Sequence, residues 1–208
     1  MDPTDAMVMG LTSFKIALVI HIGGALLLFA ALGLESFVAL LLRLAKSVSQ
    51  VRLAARIGRY VPMVFGWASA LVLLSGSYLT YLNWHYGENI GWVFIAASAF
   101  VGLGIYSAIT GRRYAAALRA EIAKSGAQIT KGLQKLVHSR GRIAQIGVSV
   151  GLTLGILVVM IFQPSVSASI LVLINALAYG LIFSLIPQLS KSGRAAEAER
   201  GSDLEPLD

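Results

Sequence analysis

The feature that most constrains this chain is a set of long apolar runs, separated by segments that hold almost every charge. A helix rises ~1.5 Å per residue, so ~20 apolar residues cross the hydrocarbon core of a bilayer. Five runs meet that length, at about 14–42, 61–82, 91–110, 143–162 and 166–189. The expected fold class is therefore all-α, a polytopic transmembrane helix bundle over 1–190. Composition agrees: 57% of the 208 residues are hydrophobic and 13% charged, where a water-soluble domain holds about 25% charged.

The first run follows an acidic start, Met1-Asp2-Pro3-Thr4-Asp5. A cleaved signal peptide has a basic start, a shorter apolar core and a small-residue cleavage site, so the run reads as a permanent span. The chain has no cysteine, which excludes disulfides and thiolate metal sites.

A net charge of +7 would ordinarily raise nucleic acid as a partner. The placement of the cations argues against it. After the first run come Arg43, Lys46, Arg52, Arg56 and Arg59. After the third come Arg112, Arg113, Arg119, Lys124, Lys131, Lys135, Arg140 and Arg142, and the tail adds Lys191, Arg194 and Arg200. Of the 17 Lys and Arg only Lys15 lies elsewhere. Five spans put these three segments on one face, and Lys and Arg mark the cytoplasmic side. The expectation is a multi-pass protein of the bacterial cytoplasmic (inner) membrane, N-terminus outside and C-terminus inside. Its partners would be the lipid bilayer and either further copies of itself or a larger membrane complex.

On the outer side the loop 83–92 has no Lys or Arg and is edged by Trp84, Tyr86 and Trp92, residues that favour the headgroup zone. Gln163-Pro164-Ser165 is a short turn, so spans four and five are adjacent and antiparallel. The inner connector, 111–142, carries apolar stripes at helical spacing: Tyr114, Leu118 and Ile122, then Ile129, Leu133, Leu136 and Val137. Ser125-Gly126 marks the break between them. The hairpin so formed either lies on anionic lipid or packs under the bundle. The polar tail, 191–208, reads as disordered.

Gly147, Gly151 and Gly155 share one face of the fourth span, where glycines let another helix backbone approach closely. Ser69, Ser75, Ser98, Thr153, Asn175 and Ser184 are polar residues at membrane depth, expected to bond helix backbones or neighbouring side chains.

Chemistry is sparse. No phosphate-binding glycine loop, nucleophile elbow or His-Glu-x-x-His occurs, and no catalytic residue is assigned. Ionisable groups at membrane depth are functional candidates by default, and the first span holds His21 and Glu35. They are 14 residues apart, on nearly one face but ~21 Å apart along the axis, so they cannot touch. Glu35 is expected near the inner headgroups, with Arg59 or Arg112 as partner, or in a proton-relay or substrate role. His21 is either a neutral imidazole bonded to a Ser or Tyr of another span, or a haem or metal ligand or proton carrier. Other metal or haem donors on the outer side are Met7, Met9, His85, Glu88 and Met160; thioether and imidazole suit copper where thiolates are absent. Met9 and Met160 could equally be apolar filler and the outer loop an aromatic belt. His138, in the basic connector, reads as solvated. The cofactor is left unknown, with haem b or copper as candidates.

The stretch Lys15-Ile16-Ala17-Leu18-Val19-Ile20-His21-Ile22-Gly23-Gly24 resembles the opening of a group of small bacterial polytopic membrane proteins. The group includes uncharacterised members, copper-resistance D-like proteins and the membrane-type protoporphyrinogen oxidase. Further echoes are Leu74-Ser75-Gly76-Ser77-Tyr78-Leu79, Gly91-Trp92-Val93 and Met160-Ile161-Phe162-Gln163-Pro164, so the likeness covers about 15–164. The resemblance implies a four-helix core, here with an added fifth span. Its oxidase branch implies haem on the His matching His21, together with a Lys in a later span that this chain lacks. Its copper branch implies copper uptake near the outer half, and its uncharacterised branch implies no activity. The functional expectation is a small transporter or an accessory or assembly factor. The alternatives are a haem-binding membrane oxidoreductase using His21 and a copper-handling protein.

Overall fold

The computed structural model describes the backbone of residues 3–84, 90–126 and 128–202, and side chains within 11–82, 90–126 and 128–184. Every regular element among them is a helix: α1 (Pro3–Leu44), α2 (Val48–Gly58), α3 (Val61–Trp84), α4 (Gly91–Lys124), α5 (Lys131–Val137), α6 (Arg140–Phe162) and α7 (Val166–Ser202). Five stretches are long and apolar enough to cross a membrane: Leu11–Leu44, Val48–Leu82, Gly91–Lys124, Lys131–Phe162 and Val166–Ser184. The chain is a polytopic helix bundle, and its outer surface is made for lipid. Leu74 and Phe183 are 73% and 79% exposed, as are many other large apolar side chains in part. Such a surface is tolerable only where the solvent is itself apolar.

Two antiparallel pairs organise the bundle. In α1 the inward residues are Ala17, His21, Gly24, Leu28, Ala31, Glu35, Val38 and Leu42, alternating steps of four and three. In α3 they are Val61, Phe65, Ala68, Val72, Ser75 and Leu79, with the same alternation. That spacing is the seam of two helices wrapped with a left-handed twist. Gly24 makes the approach close: a Cβ there would lie 3.0 Å from Leu71 Cβ and from Val72 Cγ2.

The second pair, α6 and α7, is tighter. A Cβ on Gly147 or Gly151 would run into the backbone of Gly180 and Ala176, and one on Gly155 would meet Ala176 Cβ at 2.6 Å. The glycine face thus meets a helix of the same chain. Gly180 answers it from the other side, its own Cβ position blocked by the Gly147 carbonyl. In lipid such backbone-to-backbone packing replaces the hydrophobic drive that water would supply. The turn between the helices holds Gln163 at φ 46°, a left-handed C-cap whose N–H bonds Val159 O at 2.9 Å, followed by Pro164.

Helix α4 joins the pairs. Ala96 and Phe100 from α4, Leu28 from α1, Ala68 and Val72 from α3, Ile156 and Val159 from α6 and Leu173 from α7 form the central apolar cluster.

A second apolar cluster closes the end that carries the basic connectors. The connector after α1 contains a helix that the sequence reading did not assign, α2, capped by Ser47 and burying Val48, Val51 and Ala54. These pack with Val38 and Leu42 of α1, Leu118 of α4, and Leu133 and Val137 of α5. Of the two arrangements expected for the second connector, packing under the bundle is the one adopted. Ser125 ends α4 by donating its hydroxyl to Glu121 O at 2.8 Å, and Thr130 caps α5 through Leu133 N at 3.2 Å. At the C-terminus α7 extends to Ser202. The run Ala195-Ala196-Glu197-Ala198-Glu199 explains the continuation, since Ala and Glu are strong helix formers in their own right.

Candidate functional site

The two ionisable residues of the first span occupy one seam at two depths, with Leu28 and Ala31 buried between them. Toward the end of the bundle away from the basic connectors, His21 is half-buried against α3. Its Nδ1 lies 3.1 Å from Val72 O and 3.2 Å from Ser75 Oγ. A carbonyl can only accept, so Nδ1 carries the proton. The Ser75 hydroxyl donates back to Leu71 O, which leaves its oxygen to share the imidazole proton. Gly76 gives the ring its place, because a Cβ there would sit 3.0 Å from His21 Cε1. The histidine is thus bonded to a serine of another span, and Nε2 keeps its lone pair.

Toward the end that carries the basic connectors, Glu35 pairs with neither Arg59 nor Arg112. Its Oε1 lies 2.8 Å from Arg142 Nη2, with the two side chains 14% and 16% exposed. Arg59 instead donates to the Tyr60 hydroxyl at 3.2 Å, and Arg112 is exposed. The correction has a geometric cause: the seam that holds α1 against α3 also turns Glu35 toward the first turn of α6. Arg142 makes two further contacts there, donating Nη1 to Gln145 Oε1 at 2.8 Å and lying 4.9 Å above the Tyr114 ring. Arg43, from the end of α1, acts on Tyr114 electrostatically, and its buried Nε has no hydrogen-bond partner among the described residues.

From this cluster a polar track runs up α6. Gln145, Ser149 and Thr153 are all buried; Ser149 Oγ meets Ser107 Oγ of α4 at 3.3 Å and Thr153 Oγ1 donates to Ser149 O at 2.8 Å. The next inward residues, Ile156 and Val159, belong to the central apolar cluster, so the track stops in mid-bundle.

Sequence reasoning missed Arg142, Gln145, Tyr114 and Arg43 as a unit. The detectable signal was Arg142 and Gln145 three apart, in register with Ser149 and Thr153 on one helix face, a polar stripe entering an apolar span. Asn175 and Ser184 satisfy themselves on their own helix, at Leu171 O and Leu181 O, as expected of polar groups at depth. Comparison with protein-family models, curated proteins and solved structures finds no match.

The metal donors are not brought together among the described residues, where no group of three His, Cys, Asp or Glu converges. Met160 packs against the central apolar cluster beside Val159, as filler does. His85 and Glu88 lie outside the described residues, as do the side chains of Met7 and Met9. His138 is exposed and folds back on Gln134 O at 3.1 Å. For haem the fit is partial: the His21 tautomer suits an axial ligand, because a metal-bound imidazole usually donates its other N–H to a carbonyl or carboxylate.

Proposed function

We propose that this protein is a non-enzymatic accessory or assembly factor of the bacterial cytoplasmic membrane, with its N-terminus outside and its basic connectors in the cytoplasm. One observation carries the choice over a transporter. The His21–Glu35 face, which would line a path for solute, is the packed α1–α3 seam, sealed between the two residues by Leu28 at 4% and Ala31 at 1% exposure. The polar track on α6 ends below the same apolar layer. A bundle locked through glycine backbones on one side and an ion pair on the other supports a role in holding partners rather than in passing molecules. The orientation is supported by the basic residues gathered at one end.

The test is gentle extraction of the tagged protein from its native membranes, followed by mass spectrometry of what co-purifies. A stoichiometric membrane partner is expected. Solute or proton flux in vesicles containing the purified protein alone would refute the accessory role.

A second reading rests on the state of His21. With Nδ1–H on Val72 O, Nε2 presents a fixed lone pair, the preparation a haem iron or copper ion would use. An absorption spectrum of the purified protein decides it. A Soret band lost in His21→Ala would move the protein to the haem class, and copper bound by the wild type but not by that variant would move it to the copper class.

A further inference from the structure

Helix α2 has a second face that the bundle does not use. Val48, Val51 and Ala54 bury one sector. At ~100° per residue, Arg52 and Arg56 fall on a flank about 120° from that sector and Leu53 lies about 160° from it, while Arg59, the C-cap, and Tyr60 form the turn that ends the helix. All five are exposed, Leu53 by 58% and Tyr60 by 50%. None of the three arginines has a carboxylate partner among the described residues, where the ion pairs are Glu35–Arg142 and Glu121–Lys124. The Arg59 guanidinium lies 5.2 Å from the Tyr60 ring centroid.

The depth of this face matters. Helix α2 lies where the chain leaves one span and turns back into the next, the level at which hydrocarbon gives way to headgroups. At that level an exposed Leu and Tyr would reach the acyl boundary, and the adjacent guanidiniums would stand at phosphate height. Guanidinium is also the group best shaped for phosphate, through two parallel N–H donors. We propose that the outward face of α2 and the turn that ends it bind the headgroup of an anionic phospholipid, Arg52, Arg56 and Arg59 engaging its phosphate and Leu53 and Tyr60 its proximal acyl chain. The inference rests on membrane residence and is independent of the accessory role.

The experiment measures binding of phosphatidylglycerol to the full chain in neutral detergent, by native mass spectrometry and by lipid-dependent thermal stabilisation. Phosphatidylcholine and inorganic phosphate serve as comparisons. The wild type should bind phosphatidylglycerol and respond to neither of the others. Arg52→Gln/Arg56→Gln/Arg59→Gln should bind it roughly 100-fold more weakly, about fivefold per arginine, and keep the lipid-free melting temperature. Leu53→Ser, which leaves the charges in place, should weaken binding roughly tenfold. Lys131→Gln/Lys135→Gln on α5 should bind as the wild type does. Undiminished binding by the triple arginine variant or by Leu53→Ser overturns the proposal, and so does equal loss in the α5 variant, which would mean diffuse charge attraction. A response to inorganic phosphate equal to that for lipid overturns it too. So does binding that appears only after removal of 191–208, whose Asp and Glu outnumber its Lys and Arg, because the tail would then be the occupant.

Discussion

Replacing Arg142 should be far more damaging than replacing Glu35, although the two form one ion pair. Charges about 4 Å apart at an effective dielectric of about 20 attract by ~4 kcal/mol before desolvation is counted. The difference lies in what each substitution leaves behind. In Arg142→Gln, Glu35 keeps a carboxylate at 14% exposure with no other cation bonded to it, and stranding a charge at such a site costs about 3 kcal/mol. In Glu35→Gln, Arg142 still donates to Gln145 and still lies over the Tyr114 ring, and the new amide oxygen can accept from it. The cost there should be about 1 kcal/mol. The double variant should be less damaged than Arg142→Gln alone, a non-additivity of about 2 kcal/mol. Unfolding by sodium dodecyl sulfate in mixed micelles, followed by helical circular dichroism, measures all four proteins. If Arg142→Gln fell within about 0.5 kcal/mol of the wild type, or if the two single variants came in the opposite order, the reasoning would fail.

Three further outcomes are expected. Gly151→Leu should part α6 from α7 and lower stability by about 2 kcal/mol or more in the same titration, whereas Gly66→Ala, with nothing within 4 Å of its Cβ position, should be neutral or slightly stabilising. Gln163→Gly should stabilise by about 1 kcal/mol, because glycine adopts φ 46° without the steric cost that glutamine bears, and Gln163→Val should destabilise. The chain has no cysteine of its own, so single introduced thiols report sidedness cleanly. A membrane-impermeant maleimide applied to intact cells should label Ser165→Cys and spare Gln128→Cys, both at exposed positions, and the reverse pattern would invert the proposed orientation.

The bundle was legible because lipid simplifies the code. Length and apolarity alone mark a span, and the glycines at 147, 151 and 155 mark a close contact whatever helix makes it. The Gly180 that completes that contact was not legible, since it lies in a run whose other residues suit lipid equally well. Helix α2 escaped for a different reason. In the sequence the segment shows its arginines first, and its three buried residues, Val48, Val51 and Ala54, are too few to stand out beside five runs of twenty. The choice of Arg142 as partner to Glu35 depends on how α1 is rotated against α6, a tertiary quantity that no spacing within either helix encodes.

The spacing of His21 and Glu35 shows how far the sequence does reach. On a straight helix, residues 14 apart drift by ~40°, enough to turn one of them toward the flank. In the steps of four and three that run from Ala17 to Leu42, 14 residues are two whole repeats, and the supercoil absorbs the drift. Both residues therefore face inward at the same seam position, each meeting the element opposite it: α3 for His21, the base of α6 for Glu35. Two polar groups at equivalent seam positions fix the register of α1 against its neighbours, because a slip by one residue would move an imidazole and a carboxylate from their partners into apolar surroundings. That penalty is about 3 kcal/mol for the carboxylate alone, more than the gain any single apolar contact could return. Specifying register is thus a sufficient physical reason for two ionisable residues at membrane depth. It predicts that His21→Leu/Glu35→Leu, carrying a cysteine at position 28 paired in turn with one at 65, 68 or 72, would cross-link to 65 or 72 on α3, which the chain that keeps both polar groups does not.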